Sequence, residues 1–344
     1  MNAIAEASRP LGPFDPSYSA PPLVSINTPV LYSDFAVSAK AMSKLRISIV
    51  EYLNTAPLVW GFTEGPLAGK YDLSFTLPSK CADVLRAGEV DVAIIPAIEY
   101  QRIENLAALP GMAIAAKREV RSILVVSKKP IDRVKRVALD TSSRSSAALV
   151  RLLATGSWRI QPEFIDAPPD PVAMLAQADA ALVIGDPALR ISVKLDYLFG
   201  KKPPEGACCQ GDPDELPVPG YPALFVYDIA FQWQEMTGKP CVLAIWAGRK
   251  DKLTPEVVAD FQASKNFGLA HVNEIAEAAS VKLDLPPSAL ESYLRDNIDF
   301  SLDESNLAGL NLYFEKCAAA GLIPRFRPIE FVSAFSGSPA RQGA

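Results

Sequence analysis

The sequence predicts an α/β protein folded as two lobes. Three observations predict it. Apolar runs of strand length alternate along the chain with helix-like segments, the pattern of repeated strand–helix units. Several of these runs break directly into a short polar turn with a proline, as at Asn54-Thr55-Ala56-Pro57 and Gly185-Asp186-Pro187. The 344 residues, 49% of them hydrophobic, suffice for a large core and exceed what one lobe usually holds.

The elements follow in chain order. Residues 1 to about 42 are rich in Pro, Ser and Ala without helix or strand period, so residues 1–43 read as a disordered leader. Met42 lies just before the first strand and is the expected natural start; mass spectrometry of the native N-terminus should then find no peptide from residues 1–41. Residues 45–50 read as a strand and 55–62 as a short helix. Residues 73–77 alternate like a strand. Residues 78–88 read as a helix with Pro78 early and Gly88 at its end. The continuous apolar runs 91–95 and 122–126 read as buried strands. Residues 137–139 precede the turn Asp140-Thr141-Ser142-Ser143, and 145–153 continue as a helix. Residues 180–184 form a strand ending in Gly185-Asp186-Pro187. The alternation predicts largely parallel sheets. Residues 201–222, loaded with Pro and Gly, read as a long surface loop. Beyond it come a helix at 228–237, a strand at 241–246, mostly helix to about 320, and a small polar tail, 331–344. There is no internal repeat and no glycine-rich phosphate loop.

Composition excludes several function classes. A net charge of -5 without a basic block argues against a nucleic-acid partner but not against a small anion, which backbone N–H groups can hold. Five cysteines at irregular spacing, with no C-x-x-C, argue against a disulfide framework and a zinc site. One histidine, His271, cannot build a polyhistidine metal site, and no metal or cofactor is expected. No apolar run approaches the ~18 residues of a membrane span. The N-terminus lacks a basic start followed by an apolar core, so the expectation is a cytoplasmic protein.

Candidate chemistry sits at the turns, because ligands in open α/β sheets bind past the carboxyl ends of strands. Asn54 and Thr55 follow the first strand; an amide can donate and accept at once. In Asp140-Thr141-Ser142-Ser143-Arg144-Ser145-Ser146 a strand meets a helix, and the hydroxyls admit two readings, an anion site or simple capping. Arg121-Ser122 opens an apolar strand, where a serine by itself reads as solvent-facing filler. Asp186 as N-cap with Pro187 at N1 explains its motif, though its charge would also polarise a cleft. Glu99 is a conceivable base or ordinary dipole compensation. His271 reads as a helix-face residue within 261–279. Cys208 and Cys209 lack an activating neighbour.

Taken together, residues 44 to about 330 resemble the chorismate dehydratase family of the futalosine route to menaquinone. The resemblance rests on Tyr-Leu-Asn-Thr at 52–55, Pro78-Ser79, Asp-Val-Ala-Ile-Ile-Pro-Ala-Ile-Glu-Tyr at 91–100 and Val-Arg-Ser-Ile-Leu at 120–124. It continues through Asp-Thr-Ser-Ser-Arg-Ser-Ser at 140–146, Leu-Val-Ile-Gly-Asp-Pro-Ala-Leu at 182–189, Leu-Ala-Ile-Trp-Ala at 243–247 and Tyr-Leu-Arg-Asp-Asn-Ile at 293–298. It implies a fold like type 2 periplasmic binding proteins, two α/β lobes joined by two crossing hinge strands near 122–126 and 241–246. Lobe one would be 44–126 plus 241–330, and lobe two 127–240. It implies loss of water from chorismate to give 3-[(1-carboxyvinyl)oxy]benzoate. It implies Asn54 and Ser122 as catalytic residues and Thr141, Ser142 and Ser143 as the substrate-binding turn, with Thr55 and Asp186 at the same cleft. Glu51, where many members carry Ser, departs from the pattern: it would place a carboxylate near the cleft or face away. The same fold serves solute-binding proteins, the sister enzyme that cleaves cyclic dehypoxanthine futalosine, and a cofactor-precursor synthase that consumes its own histidine. The last two fit poorly with one histidine outside every motif. The partner is therefore expected to be the small molecule chorismate; oligomeric state is not legible.

Overall fold

Two β-sheets organise the molecule. The computed structural model describes residues 44–200, 205–212 and 214–332. The expected leader, Met42 and most of the tail lie outside the described residues. The first lobe opens with β1 (Arg46–Val50), a 3₁₀ turn (Leu53–Thr55) and α1 (Ala56–Thr63). It continues through β2 (Asp72–Thr76), α2 (Pro78–Ala87), β3 (Val92–Pro96), a second 3₁₀ turn (Ala97–Gln101) and β4 (Leu106–Ala116). Pro78 starts α2, and Gly88 ends it with a positive φ of 74°. The second lobe holds β5 (Ile123–Ser127), β6 (Arg136–Asp140), α3 (Arg144–Gly156), β7 (Glu163–Ala167) and α4 (Pro171–Gln177). It is completed by β8 (Ala180–Ile184), α5 (Gly185–Phe199), β9 (Cys208–Gln210), β10 (Ala223–Asp228) and α6 (Ile229–Thr237). The chain then returns to the first lobe as β11 (Cys241–Arg249), α7 (Pro255–Ala270), α8 (Val272–Leu283), α9 (Pro287–Ser292) and α10 (Glu304–Ala319).

The first sheet has the order β2-β1-β3-β11-β4 and the second β7-β6-β8-β5-β10-β9. In each, two neighbouring pairs are parallel and the rest antiparallel: β1 is parallel to β2 and β3, and β6 to β7 and β8, whereas β11 is antiparallel to β3 and β4, β5 to β8 and β10, and β9 to β10. The sheets are thus mixed, not largely parallel as the alternation suggested. The reason is the passage between lobes. A chain that leaves one sheet and later re-enters it brings β11 back against β3 and β4 from the opposite direction.

The chain passes between the sheets twice, through residues 117–122 and 238–240. Sheet pairing gives β5 wholly to the second lobe, so the first passage precedes the expected 122–126. β4 was not legible as a strand because Pro110-Gly111 interrupts it; Gly111 has a φ of 72°, and the partner β11 shifts register opposite. The loop expected over 201–222 contains the edge strand β9. His271 stands at the α7–α8 junction, not within one helix; its ring stacks on Phe267 with centroids 4.0 Å apart, and Nδ1 lies 2.7 Å from the Phe267 carbonyl.

Continuous apolar β3 is buried on both faces, as a central strand must be. Around the first sheet, α2 covers β1 and β3, and α7 packs on α1 and β4. Trp246, Phe261, Phe62 and Tyr71 meet in edge-on and tilted contacts inside it. α3 of the second lobe packs against β11 and α10 of the first, so the two sheets share one continuous core.

Candidate active site

The site forms where the first-lobe 3₁₀ turn, the 117–122 passage and the start of α3 meet. Val50 ends β1, Tyr52 is still extended, and Leu53–Thr55 coil before α1 opens with Ala56-Pro57. This tight exit buries Asn54 and Thr55. Ser122 is fully buried at the entrance to β5, and its carbonyl accepts the Gly185 N–H at 2.7 Å.

Tyr293 brings the two together. It is 1% exposed and lies on a π-helical turn, Tyr293–Asn297, that continues α9. Its hydroxyl donates to Ser122 Oγ at 2.8 Å. Burial pushes this phenol well above the ordinary tyrosine range, opposed by Ser122 and by the nearby Asn54 side chain. The motif containing Tyr293 was visible in the sequence, but nothing local marked that residue as part of the site: it stands 171 positions from Ser122.

Ser122 is held rigidly. The preceding residue, Arg121, adopts a left-handed backbone with φ 62°. Its N–H donates to Asp228 Oδ2 at 2.6 Å, its Nε donates to Ser192 Oγ at 3.1 Å, and its guanidinium pairs with Asp196. A non-glycine residue in this region persists only where surroundings over-determine it, and such strain gathers at functional sites.

The second lobe supplies the turn before α3. Asp140 Oδ1 accepts both the N–H and the hydroxyl of Ser142, at 2.8 and 2.7 Å. Burial raises the Asp140 pKa, opposed by these two bonds. Ser142 O accepts the Ser79 N–H at 3.1 Å, and Ser145 Oγ accepts the Ile98 N–H at 3.2 Å, both across the lobes. Ser143 is the N-cap of α3 but makes no side-chain cap bond. Thr141 is exposed, with its N–H on the Ala167 carbonyl, and does not line the cavity.

Asp186 does not cap α5 as its motif suggested. Ile184 is the N-cap residue and Gly185 already opens the helix, so the Asp186 carboxylate is free to accept the Leu53 N–H of the other lobe at 3.0 Å. Burial raises its pKa, while the Leu53 N–H, Lys282 and Arg190 lower it. Gly185, at φ 66°, lies under the Tyr52 ring; a Cβ there would stand 2.6 Å from that ring. Burial pushes the Tyr52 phenol up to about 12, opposed by the nearby Ser142.

A cavity of about 60 Å³ remains between the lobes, with Tyr52, Asn54, Thr55, Ser143, Ser145 and Ser146 in its wall. It has room for a few waters. A larger groove of about 460 Å³ lies on the far side of Tyr52 and Thr55, which wall both. Glu51 lies at this outer groove, ion-paired with Lys282 at 2.9 Å, and so faces away from Asn54 and Ser122. Glu99 is buried among Arg86, Arg102 and Arg144; its Oε1 meets Arg102 at 2.9 Å and its Oε2 meets Arg144 at 3.2 Å. Among the described residues, no group of three or more His, Cys, Asp or Glu side chains could hold a metal ion, and no helix is long and apolar enough to cross a membrane.

Known proteins share this framework. A chorismate dehydratase from Thermus thermophilus is 28% identical over 286 residues, 82% of this chain and 98% of that protein. Among solved structures, a protein from Archaeoglobus fulgidus superposes with a TM-score of 0.61 at 20% identity, covering 81% of this chain and 98% of that one. The periplasmic aliphatic sulphonate binding protein from Escherichia coli gives 0.54 at 14% identity, covering 87% and 96%. These structural likenesses establish a periplasmic-binding-protein-like fold of two α/β lobes. The sequence model of the family described as menaquinone biosynthesis matches residues 45–319, a span that includes both lobes, Asn54, Ser122, Tyr293 and the turn before α3. The chain belongs to this menaquinone-biosynthesis family.

Proposed function

We propose that the protein is a chorismate dehydratase, a carbon–oxygen lyase that converts chorismate to 3-[(1-carboxyvinyl)oxy]benzoate and water. The observation that carries the reading is the Ser122 hydroxyl bound to the buried Tyr293 phenol, next to a cavity whose wall holds both Asn54 and Ser143 at the uncapped start of α3. The Thermus thermophilus relative of that name supports the substrate assignment.

In this reaction a ring C–H bond at the ether-bearing carbon breaks, the neighbouring C–OH bond breaks, and a ring double bond forms. The proton and the hydroxide leave as water. Aromatisation drives the step, so the protein has only to lower a barrier. The free N–H groups at the start of α3, with the Ser143 hydroxyl, suit a substrate carboxylate. Asn54 and Ser122 orient the ring and stabilise charge as it develops. Thr55 lines the same wall, and Asp186 fixes the Asn54 turn through the Leu53 N–H.

The base is best supplied by the substrate. His271 is stacked on Phe267, Glu51 is ion-paired at the outer groove, and both oxygens of Glu99 meet guanidinium groups. A carboxylate of chorismate held against the departing proton reacts as an intramolecular group, where fixed geometry contributes roughly 7–11 kcal/mol in the best cases. Incubating the purified protein with chorismate and analysing the mixture by mass spectrometry and ultraviolet absorption tests the proposal. The expected result is an aromatic product lighter than chorismate by one water. Chorismate recovered unchanged would leave a binding protein and overturn the reading.

A further inference from the structure

The Tyr293 hydroxyl carries one proton and can donate only once. It gives that proton to Ser122 Oγ at 2.8 Å, and both side chains are buried. Ser122 Oγ accepts this bond, so its own proton is left for another acceptor. Asn54 stands near the same phenol and opposes the rise that burial gives it; its Oδ1 lies 3.4 Å from the Thr55 hydroxyl.

The segment bearing Tyr293 is tied to the passage bearing Ser122 a second time. Asn297, at the other end of the same π-helical turn, donates from Nδ2 to the Glu119 carbonyl at 3.3 Å. Widened turns of this kind gather at functional sites because they re-aim a side chain without ending the helix.

We propose that Tyr293 is a positioning residue for the dehydration, fixing the Ser122 hydroxyl through its own. This inference rests on the chorismate dehydratase reading. Burial keeps the phenol protonated far above neutral pH, so the donor is present across the working range.

Tyr293→Phe keeps the ring and removes only the hydroxyl. The expected result is a kcat lower by about tenfold or more, the scale of one oriented hydrogen bond. KM should stay within roughly threefold, because substrate carboxylates are held elsewhere. The Ser122→Ala/Tyr293→Phe double variant should be no slower than Ser122→Ala alone, since the phenol acts through that hydroxyl. A packing role would instead give additive losses, and that result overturns the inference. Should Tyr293→Phe fail to fold, 3,5-difluorotyrosine at position 293 preserves packing and the hydroxyl while acidifying it. It should add a falling alkaline limb to kcat that the unmodified protein lacks; an unchanged pH profile overturns the inference. Wild-type turnover of chorismate with a wild-type rate for Tyr293→Phe overturns the role of Tyr293 alone. No turnover by the wild type overturns the functional reading and this inference with it.

Discussion

At the scale of single residues, hydrogen-bond direction decides what each site group can offer. Asn54→Asp keeps size but replaces an amide in the cavity wall with an acceptor-only carboxylate facing a dianionic substrate. Two like charges about 4 Å apart at an effective dielectric near 20 repel by about 4 kcal/mol. kcat/KM should therefore fall by about two to three orders of magnitude; near-normal turnover would remove Asn54 from the mechanism. The two candidate carboxylate bases separate differently. Glu51→Gln loses one exposed ion pair with Lys282 and should leave both kcat and melting temperature close to wild type. Glu99→Gln leaves Arg86, Arg102 and Arg144 around a neutral amide, which should destabilise the fold by about 2–4 kcal/mol in denaturant titrations. Its kcat, measured below the melting range, should stay within a few fold; a loss of several orders of magnitude in a folded variant would make Glu99 the base. The sequence placed Asn54 after an apolar strand and Ser122 at the opening of another, and the structure puts both at those strand edges; Ser122 was a candidate only through the family resemblance. Tyr293 was not legible as a site residue, because a buried tyrosine on a late helix has the same local pattern as an ordinary core residue. The direction of the hydroxyls at 141–143 was equally hidden: composition shows that they exist, not that Ser142 turns back on Asp140 while Ser143 lines the cavity.

At the scale of elements, position depends on how closely backbones can approach. α1 carries the Asn54 turn, and α7 holds α1 in place. Gly268 of α7 lies directly against Pro57, where a Cβ would stand 2.0 Å from the Pro57 carbonyl oxygen. Gly61 of α1 meets Ser264 in the same way, at 2.5 Å from its Cα. No side-chain rotation relieves a clash with backbone, so Gly268→Ala must push the helices apart. The expected cost is about 2–4 kcal/mol, read as a lowered melting temperature. kcat should fall with it, because Pro57 lies three residues beyond Asn54; a fully active, destabilised variant would show that the turn does not depend on this contact. Most elements were legible from their boundaries, as in α2 between Pro78 and Gly88 and in the apolar run of β8. The exceptions share a cause. β4 tolerates Pro110-Gly111 only because β11 shifts register opposite them, and β9 forms only because β10 offers an edge. Such pairings lie between distant segments, and no local pattern records them.

At the scale of the whole molecule, the two lobes stand closed on each other. The Ser79 and Ile98 N–H groups of the first lobe donate to the α3 region of the second, and the Leu53 N–H donates to Asp186. The order of motifs made two lobes legible, yet it could not show how they meet, because the crossing contacts join side chains that are remote in sequence. Arg144 makes charged ones. From the first turn of α3 it reaches Asp83 with paired bonds of 2.9 and 3.0 Å and touches Glu99 at 3.2 Å. A cavity of about 60 Å³ is too small for a ring dicarboxylate, so substrate binding requires these contacts to open and re-form. Arg144→Ala removes them while Glu99 keeps Arg86 and Arg102 and Asp83 keeps Arg86, so the first lobe stays internally paired. The fold should therefore lose little stability, whereas closure should lose about 1–2 kcal/mol of a half-exposed charge-assisted pair. By population shift, that amounts to roughly a tenfold higher chorismate concentration for half-maximal closure. Small-angle scattering across a chorismate titration measures it, with compaction displaced to higher concentration and KM raised in step. An unchanged midpoint would mean that the Arg144 pairs form without contributing to closure, leaving the other cross-lobe bonds, among them those of Asp186, Arg190 and Tyr313, to hold the lobes together.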